Sequence, residues 1–213
     1  MINIALAKGR LAEDMIAQFE EIGILFPTYS KKSRKLIFKD QTNTKSIVLV
    51  KPTDVAVYVE KGACDIGVVG KDSLMENQPD VYEILDLGYG KCRFVVAGPN
   101  DYQKTSNQKL KVATKYPNVA KTYFQSIGQP VETIKINGSV ELAPLMGLSD
   151  LIVDITETGA TLKENGLSVI AEIADVSARL IVNKVSLKTK QDDITDLIGK
   201  LKTRGNEHAD DQN

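Results

Sequence analysis

The chain has 213 residues, 42% of them hydrophobic, with 27 basic against 28 acidic residues, a single histidine (His208) and two widely separated cysteines, Cys64 and Cys92. That length suffices for one large domain or two small ones around a real apolar core, and the evenly mixed charge argues against nucleic-acid binding driven by bulk charge. A lone histidine in the polar tail GNEHADDQN argues against a Ser-His-Asp or Cys-His site and against a histidine-ligated zinc.

The two cysteines have neither metal-site spacing nor the density of a disulfide scaffold, which suits a reducing cytoplasm. The start, MINIALAKGR, has no charged-then-apolar leader. No apolar run reaches the ~18 residues of a membrane span. The expectation is a soluble cytoplasmic protein with no membrane and no nucleic-acid partner.

Short apolar runs alternate with helical patterns. INIALA reads as a strand and RLAEDMIAQFEEIGI as an amphipathic helix; SIVLV is a strand, and TDVAVYVEKG a helix with Thr53 as its N-cap. DIGVVG is a strand followed by a helix from about Lys71, and residues 81–99 form a long extended stretch. The rhythm then restarts. LKVAT is a strand, NVAKTYFQSIG a helix, VETIKI a strand, ELAPLMGL a short helix, DLIVDI a strand and TLKENGL a helical turn. SVIAEIADVSARLIVN is again long and extended, DDITDLIGKLKTR closes as a helix, and the tail 205–213 reads as disordered. This alternation predicts an α/β protein with parallel sheets covered by helices on both faces.

The extended stretches at about 84–98 and 169–183 exceed the usual strand of ~5–6 residues. Each is read as a crossing between modules. The layout is a discontinuous domain I, residues 1–92 and 180–213, and a domain II, residues 93–179. Two strands form the hinge, and the carboxyl ends of the strands face a cleft.

Several stretches could carry chemistry. In LAKGRL, Lys8 and Arg10 flank Gly9 where a strand runs into a helix, either to hold an anion or as solvated first-turn residues; cations there oppose the helix dipole. SKKSRKLIF places Lys31, Lys32, Arg34 and Lys35 before a strand. This is a solvated basic loop or a polyphosphate site, with Arg34 the best candidate because its planar fork binds two oxygens at once. Lys51 stands at a strand end, Asp65 at a strand start, and Tyr89 in the glycine-rich bend LGYGKCRF. In NGSVELAP, Asn137-Gly138 marks a turn, Ser139 a plausible N-cap, and Glu141 either a capping or a cleft-facing acid.

DLIVDITETGATL is the most suggestive stretch. A strand apolar on both faces delivers Asp154, and Glu157, Thr158, Gly159, Ala160 and Thr161 turn into a helix. Gly159 permits a positive φ. Successive backbone N–H groups and a helix N-terminus favour a phosphate, with Thr158 and Thr161 as hydroxyl donors. The alternative is a plain strand–turn–helix with Thr161 as a cap.

Taken together these segments resemble the ATP phosphoribosyltransferase family over roughly residues 2–185. The most specific part is ELAPLMGLSDLIVDITETGATL, Glu141 to Leu162, supported by LAKGRL, SRKLIF, CDIGVVGKD, LDLGYGKCR, VATKYPNVA and INGSVELAP. The resemblance implies a two-lobed, type II periplasmic-binding-protein-like α/β fold with a cleft between two parallel or mixed sheets. The implied reaction is attack of adenine N1 of ATP on C1 of 5-phosphoribosyl-1-pyrophosphate, releasing pyrophosphate, with Mg2+ arriving on the substrate phosphates and no dedicated metal cage.

By resemblance, Glu141, Asp154, Thr158, Gly159, Ala160 and Thr161 bind phosphoribosyl pyrophosphate. Lys8, Gly9, Arg10, Leu11, Arg34, Lys51, Asp65 and Tyr89 bind ATP, with Arg10 and Arg34 catalytic. The length matches the family's short form, which has no C-terminal regulatory domain. It implies a homodimer as building block and a regulatory subunit resembling histidyl-tRNA synthetase in a hetero-octamer. Two rivals are a non-catalytic solute-binding module of the same fold, and a phosphoribosyltransferase of the other common fold. The latter usually places two adjacent acids before its loop, whereas Asp154 and Glu157 are separated.

Overall fold

The computed structural model describes residues 1–103 and 109–210, with side chains described through Thr203. In chain order the elements are β1 (Ile2–Ala7), α1 (Arg10–Glu21), β2 (Ile37–Lys39), β3 (Lys45–Val50), α2 (Val55–Glu60), β4 (Ile66–Gly70), α3 (Lys71–Asn77) and β5 (Tyr82–Asp86). There follow β6 (Cys92–Pro99), β7 (Leu110–Thr114), α4 (Pro117–Ser126), β8 (Val131–Lys135), α5 (Leu142–Leu145), β9 (Leu151–Thr156), α6 (Ala160–Glu164) and β10 (Leu167–Val176). The chain closes with β11 (Ala178–Val182), α7 (Lys184–Thr189) and α8 (Gln191–Asp210).

The chain divides into two compact units. The first holds residues 1–74, 78–90 and the chain from Ser177 onward; the second holds 75–77 and 91–176. Residues 75–77 group with the second unit because the Glu76 carboxylate accepts the Asn118 and Val119 N–H groups at the start of α4. Each long extended stretch is thus two strands, β5 then β6 and β10 then β11, divided at Gly90 and at Val176. The sequence expectation placed these passages at 92–93 and 179–180.

Unit 1 is built on a six-stranded sheet of order β2-β3-β1-β4-β11-β5. β1 runs parallel to β3 and β4, whereas β2 is antiparallel to β3 and β11 is antiparallel to both β4 and β5. The sheet is therefore mixed, within the parallel or mixed arrangement expected, with the antiparallel strands being those that the alternation alone does not mark.

Its two faces follow from strand alternation. Ile2, Ile4 and Leu6 point to one side, where α1 contributes Ala12, Met15, Ile16 and Phe19 and α8 contributes Ile194, Leu197, Ile198 and Leu201. Both helical sets are spaced i, i+3, i+4, i+7, one stripe of a 3.6-residue helix. Ala5 and Ala7 point to the other side, against Val55, Ala56 and Val59 of α2. The approach there is close: a Cβ on Gly67 would lie 2.7 Å from Val59 Cγ2, so β4 needs a glycine beneath this helix.

Unit 2 has a five-stranded sheet of order β10-β6-β9-β7-β8. β7 is parallel to β8 and β9, and β6 is antiparallel to β9 and β10. One face carries Phe94, Val96, Leu151 and Val153 against Tyr116, Val119, Ala120 and Phe124 of α4 and its lead-in. The other carries Val95, Ala97 and Ile152 under only the short α5 and α6, through Ala143 and Leu162. Short as they are, these helices bury Val95, Ala97 and Ile152 completely, and β9 opens only from Asp154 onward.

Three local expectations change. The N-cap of α2 is Asp54, with no side-chain cap bond, and Thr53 donates to the Asp54 carboxylate instead. Ser139 is not a cap: it takes φ +48, and Glu141 precedes α5. Residues 205–210, expected to be disordered, continue the backbone of α8; residues 211–213 lie outside the described residues.

Candidate functional site

In unit 2, Leu151, Ile152 and Val153 of β9 are fully buried, and exposure begins at Asp154. The strand therefore delivers its acid as it leaves the core. Thr156 then sets the turn, its Oγ1 accepting the Gly159 N–H at 2.8 Å, while Thr158 Oγ1 accepts the Ala160 N–H at 3.3 Å. Gly159 has φ +79, a conformation that glycine takes freely and β-branched residues resist, and a Cβ there would meet nothing within 4 Å. The demand at this position is on backbone sign, not on space. Leu162, buried, fastens the following helix to the sheet.

These residues enclose a concavity of about 370 Å³, lined by Glu141, Asp154, Thr156, Glu157, Thr158, Ala160 and Thr161 over Val95, Ile155 and Leu162. Every predicted phosphoribosyl pyrophosphate residue thus falls in one place, with Gly159 in the turn behind the lining. Asp154 Oδ1 accepts the N–H of Ile155 at 2.8 Å. Glu141 makes no side-chain cap bond to α5, so its carboxylate is left to the pocket.

The turn is followed by a helix of five residues. Its dipole is small, and the pocket offers an anion the threonine hydroxyls, together with turn amides that Thr156 and Thr158 Oγ1 hold in the ligand-free chain. One residue was missed in the sequence: Thr156, although a threonine three residues before a turn glycine is a recognisable local acceptor. Glu157, placed in the turn by the sequence but given no settled role, also lines the pocket.

In unit 1 the cations gather at the carboxyl ends of the strands. The β1–β3 ladder runs one residue further, Lys8 N–H donating to Val50 O at 2.9 Å, which brings Lys8 beside Lys51. Gly9 then turns the chain into α1 at φ +119, ψ −153, a region open only to glycine, and no side chain caps the helix. Lys8, Gly9 and Arg10 are exposed. Leu11 is half-buried and packs on both cores of the unit. The Tyr89 hydroxyl donates to Leu11 O at 3.2 Å, and a Cβ on Gly90 would lie 2.9 Å from Leu11 Cδ2. The glycine-rich bend is therefore fitted against the start of α1.

Arg34 reaches the same edge by register. Ile37 pairs with Val48, and Leu49 N–H donates to Leu36 O, so the run before β2 heads toward the end of β3 where Lys51 stands. Arg34 is exposed. Lys31 is engaged elsewhere, in a 2.6 Å ion pair with Glu13 of α1.

Asp65 is the exception, and its placement corrects the sequence expectation. It precedes β4 at the amino end of the sheet, 4% exposed. Asn3 N–H and Lys190 Nζ donate to it at 2.8 Å and Ser186 Oγ at 2.7 Å. Asp65 is level with Asn3, five residues along β1 from Lys8, about 17 Å at the usual rise. Burial pushes the Asp65 carboxyl up, but the Asn3 amide, Lys190 and Ser186 together hold it below its ordinary value. Asp65 ties the amino end of the sheet together and does not belong with the cationic edge. Beside it, burial and the Asp65 charge push the Cys64 thiol up to about 11.

Residues 51–203 match the family profile HisG, ATP phosphoribosyltransferase. A protein of Bacillus cereus named ATP phosphoribosyltransferase is 54% identical over 200 residues, 94% of this chain and 95% of its own. Among solved structures, the ATP phosphoribosyl transferase (HisG:HisZ) complex from Thermotoga maritima superposes at TM-score 0.83 and 36% identity, over 95% of this chain and 98% of that one. The periplasmic aliphatic sulphonate binding protein SsuA from Escherichia coli shares the fold at TM-score 0.60 and 12% identity, over 98% of this chain and 75% of that one.

Proposed function

The chain belongs to the ATP phosphoribosyltransferase family, and we propose that it works by holding phosphoribosyl pyrophosphate in the unit 2 pocket and ATP on the cationic edge of unit 1. It transfers the 5-phosphoribosyl group to N1 of ATP and releases pyrophosphate, the first step of histidine biosynthesis. The observation that carries the site reading is that the segment from Glu141 to Thr161 folds into one pocket of hydroxyls, carboxylates and a left-handed glycine turn.

Adenine N1 is itself a nucleophile, so the protein need supply none. Its work is to align two polyanions and to stabilise the leaving pyrophosphate. Thr158, Thr161 and the backbone at Gly159 and Ala160 hold the 5-phosphate. Asp154 and Glu141 accept hydrogen bonds from the ribose hydroxyls. Lys8, Gly9, Arg10, Leu11, Lys51 and Tyr89 hold ATP. Arg10 and Arg34 offset the charge that develops on the phosphates, Arg34 through its planar fork.

The oxygen-rich lining fits Mg2+, a hard cation that keeps several waters and binds through one or two carboxylates and substrate phosphates. The described residues contain no group of three metal-binding side chains. Asp154 and Glu141 would therefore hold the ion jointly with the substrate, and the bound ion would neutralise pyrophosphate charge.

A separate regulatory subunit, as in the HisG:HisZ complex, is the partner, and we extend this to a hetero-octamer built on homodimers of this chain. No described helix is long and apolar enough to cross a membrane, which accords with a cytoplasmic biosynthetic enzyme.

Pyrophosphate release from ATP and phosphoribosyl pyrophosphate with Mg2+, measured with and without the regulatory subunit, tests the reading. Turnover in at least one condition is expected; its absence in both, alongside ligand binding, would favour the solute-binding alternative.

A further inference from the structure

The unit 2 pocket is lined by three carboxylates, Glu141, Asp154 and Glu157, and by no cation among the described residues. A phosphorylated ligand adds more negative charge to it. Strand register shows where compensation lies. On β6 and β9, Val95 pairs with Asp154 and Arg93 with Thr156. Opposed residues share a face, as do alternate ones along a strand. Val95, Asp154 and Thr156 all line the pocket, so Arg93 is carried on the pocket's face, beside Thr156.

Its other neighbours are acids. β10 pairs Glu172 with Val95 and Asp175 with Arg93, and a register shift between Glu172 and Ala174 puts both acids on this same face. Arg93 Nη1 lies 2.7 Å from Glu172 Oε1, with the two side chains 39% and 57% exposed. An ion pair so exposed is weak. Arg93 Nε is buried and has no hydrogen-bond partner, a costly arrangement for an ionised group.

Resting on the reading of this pocket as the phosphoribosyl pyrophosphate site, we propose that Arg93 is a further binding residue for that substrate, held on Glu172 in the ligand-free protein and taken over by a substrate phosphate. A phosphate presents two oxygens and about two charges to the guanidinium fork, whereas Glu172 engages it through one nitrogen. Taking up the phosphate also offers a partner to a guanidinium whose Nε has none in the ligand-free chain. Glu172 keeps the side chain on the pocket's face until then.

Calorimetric titration of the full chain with phosphoribosyl pyrophosphate, together with steady-state kinetics, tests this. Arg93→Gln should weaken that binding about tenfold or more and leave the KM for ATP within about twofold. Arg93→Lys should recover part of the loss, through charge without the fork. Glu172→Gln should leave the affinity unchanged or tighten it, because a competitor is removed. Equal losses in Arg93→Gln and Glu172→Gln would mark the pair as a structural brace and overturn the proposal.

Should Arg93→Gln fail to fold, Glu172→Gln decides alone: weakened binding overturns the proposal, and unchanged or tighter binding supports it. A wild-type chain that binds no phosphoribosyl pyrophosphate overturns the pocket reading and this proposal with it. Wild-type binding that Arg93→Gln leaves unchanged overturns only the role of Arg93.

Discussion

Asp65 and Asp154 each adjoin an apolar strand, yet their surroundings differ. Asp65 stands before β4, 4% exposed, and takes hydrogen bonds from β1, α7 and the residue that precedes α8. Asp154 is near the end of β9, half-buried, and lines a concavity of about 370 Å³. At the amino end of the unit 1 sheet, helices close over the acid and every bond it makes is to the protein. At the carboxyl end of β9, a five-residue helix leaves the acid room for a ligand. If the first arrangement serves stability and the second recognition, as proposed, substitutions at the two places should separate along those lines.

The largest separation is expected at Gly159. Valine there meets no steric obstacle but must adopt φ +79, which costs a β-branched residue on the order of 1–3 kcal/mol. Relaxing that strain moves the amides of the turn. Phosphoribosyl pyrophosphate binding should fall by about 100-fold in calorimetry, while the unfolding temperature falls by only about 2–4 °C for each kcal/mol of strain that the turn does not relax. A variant that binds normally would remove the turn from the phosphate site. Arg34→Ala should come next, lowering kcat by about 10–100-fold through lost charge stabilisation at nearly unchanged stability, since Arg34 is exposed. Wild-type kinetics in this variant would end its assigned role.

Asp65 should give the opposite pattern. Asn at this position keeps the shape but removes the charge that Lys190 and the Asn3 amide engage. Lys190 is 35% exposed, so solvent screens part of the pair, and the expected loss of stability is about 2 kcal/mol. The folded-state carboxyl lies below its unfolded value. Its contribution is therefore complete above the unfolded pKa of about 4 and is lost as pH falls through the lower, folded one. Urea titrations at neutral pH and in that acid window should show the wild type losing its advantage over Asp65→Asn as the acid is protonated. A constant difference at all pH values would show that Asp65 acts through packing alone.

The same contrast explains what was legible in the sequence. The turn at TETGAT was readable because hydroxyls, small residues and a glycine crowd into a short stretch whose geometry is local. Arg10 and Arg34 stood out because cations beside a strand end, next to a glycine or in a basic run, are visible in a short stretch of sequence. Asp65 was misplaced because its partners lie far off: Asn3, Ser186 and Lys190 are 62, 121 and 125 residues away, beyond any local pattern. The directions of single strands were hidden for a related reason. β2, β6, β10 and β11 are antiparallel to neighbouring strands, and an apolar run carries no mark of its direction. α7 was also missed, since LIVN continues a strand pattern up to the residue that caps the helix.

That capping residue gives the smallest and most local prediction. Asn183, buried, accepts the Val185 and Ser186 N–H groups at 2.9 Å through Oδ1. Its amide nitrogen donates to Val59 O at 2.8 Å at the end of α2. One side chain thus starts α7, which presents Ser186 to Asp65, and fastens it to α2. Asn183→Ala should cost about 1–2 kcal/mol, and Asn183→Asp should keep the cap but lose the bond to Val59. If the cap matters most, aspartate will unfold nearer to wild type than alanine does. If the link to α2 matters most, the two will unfold alike, because a buried carboxylate facing a carbonyl gains nothing from that partner. Substrate binding in unit 2 should be unchanged in both, since Asn183 belongs to the amino end of the unit 1 sheet, where the acid is closed in.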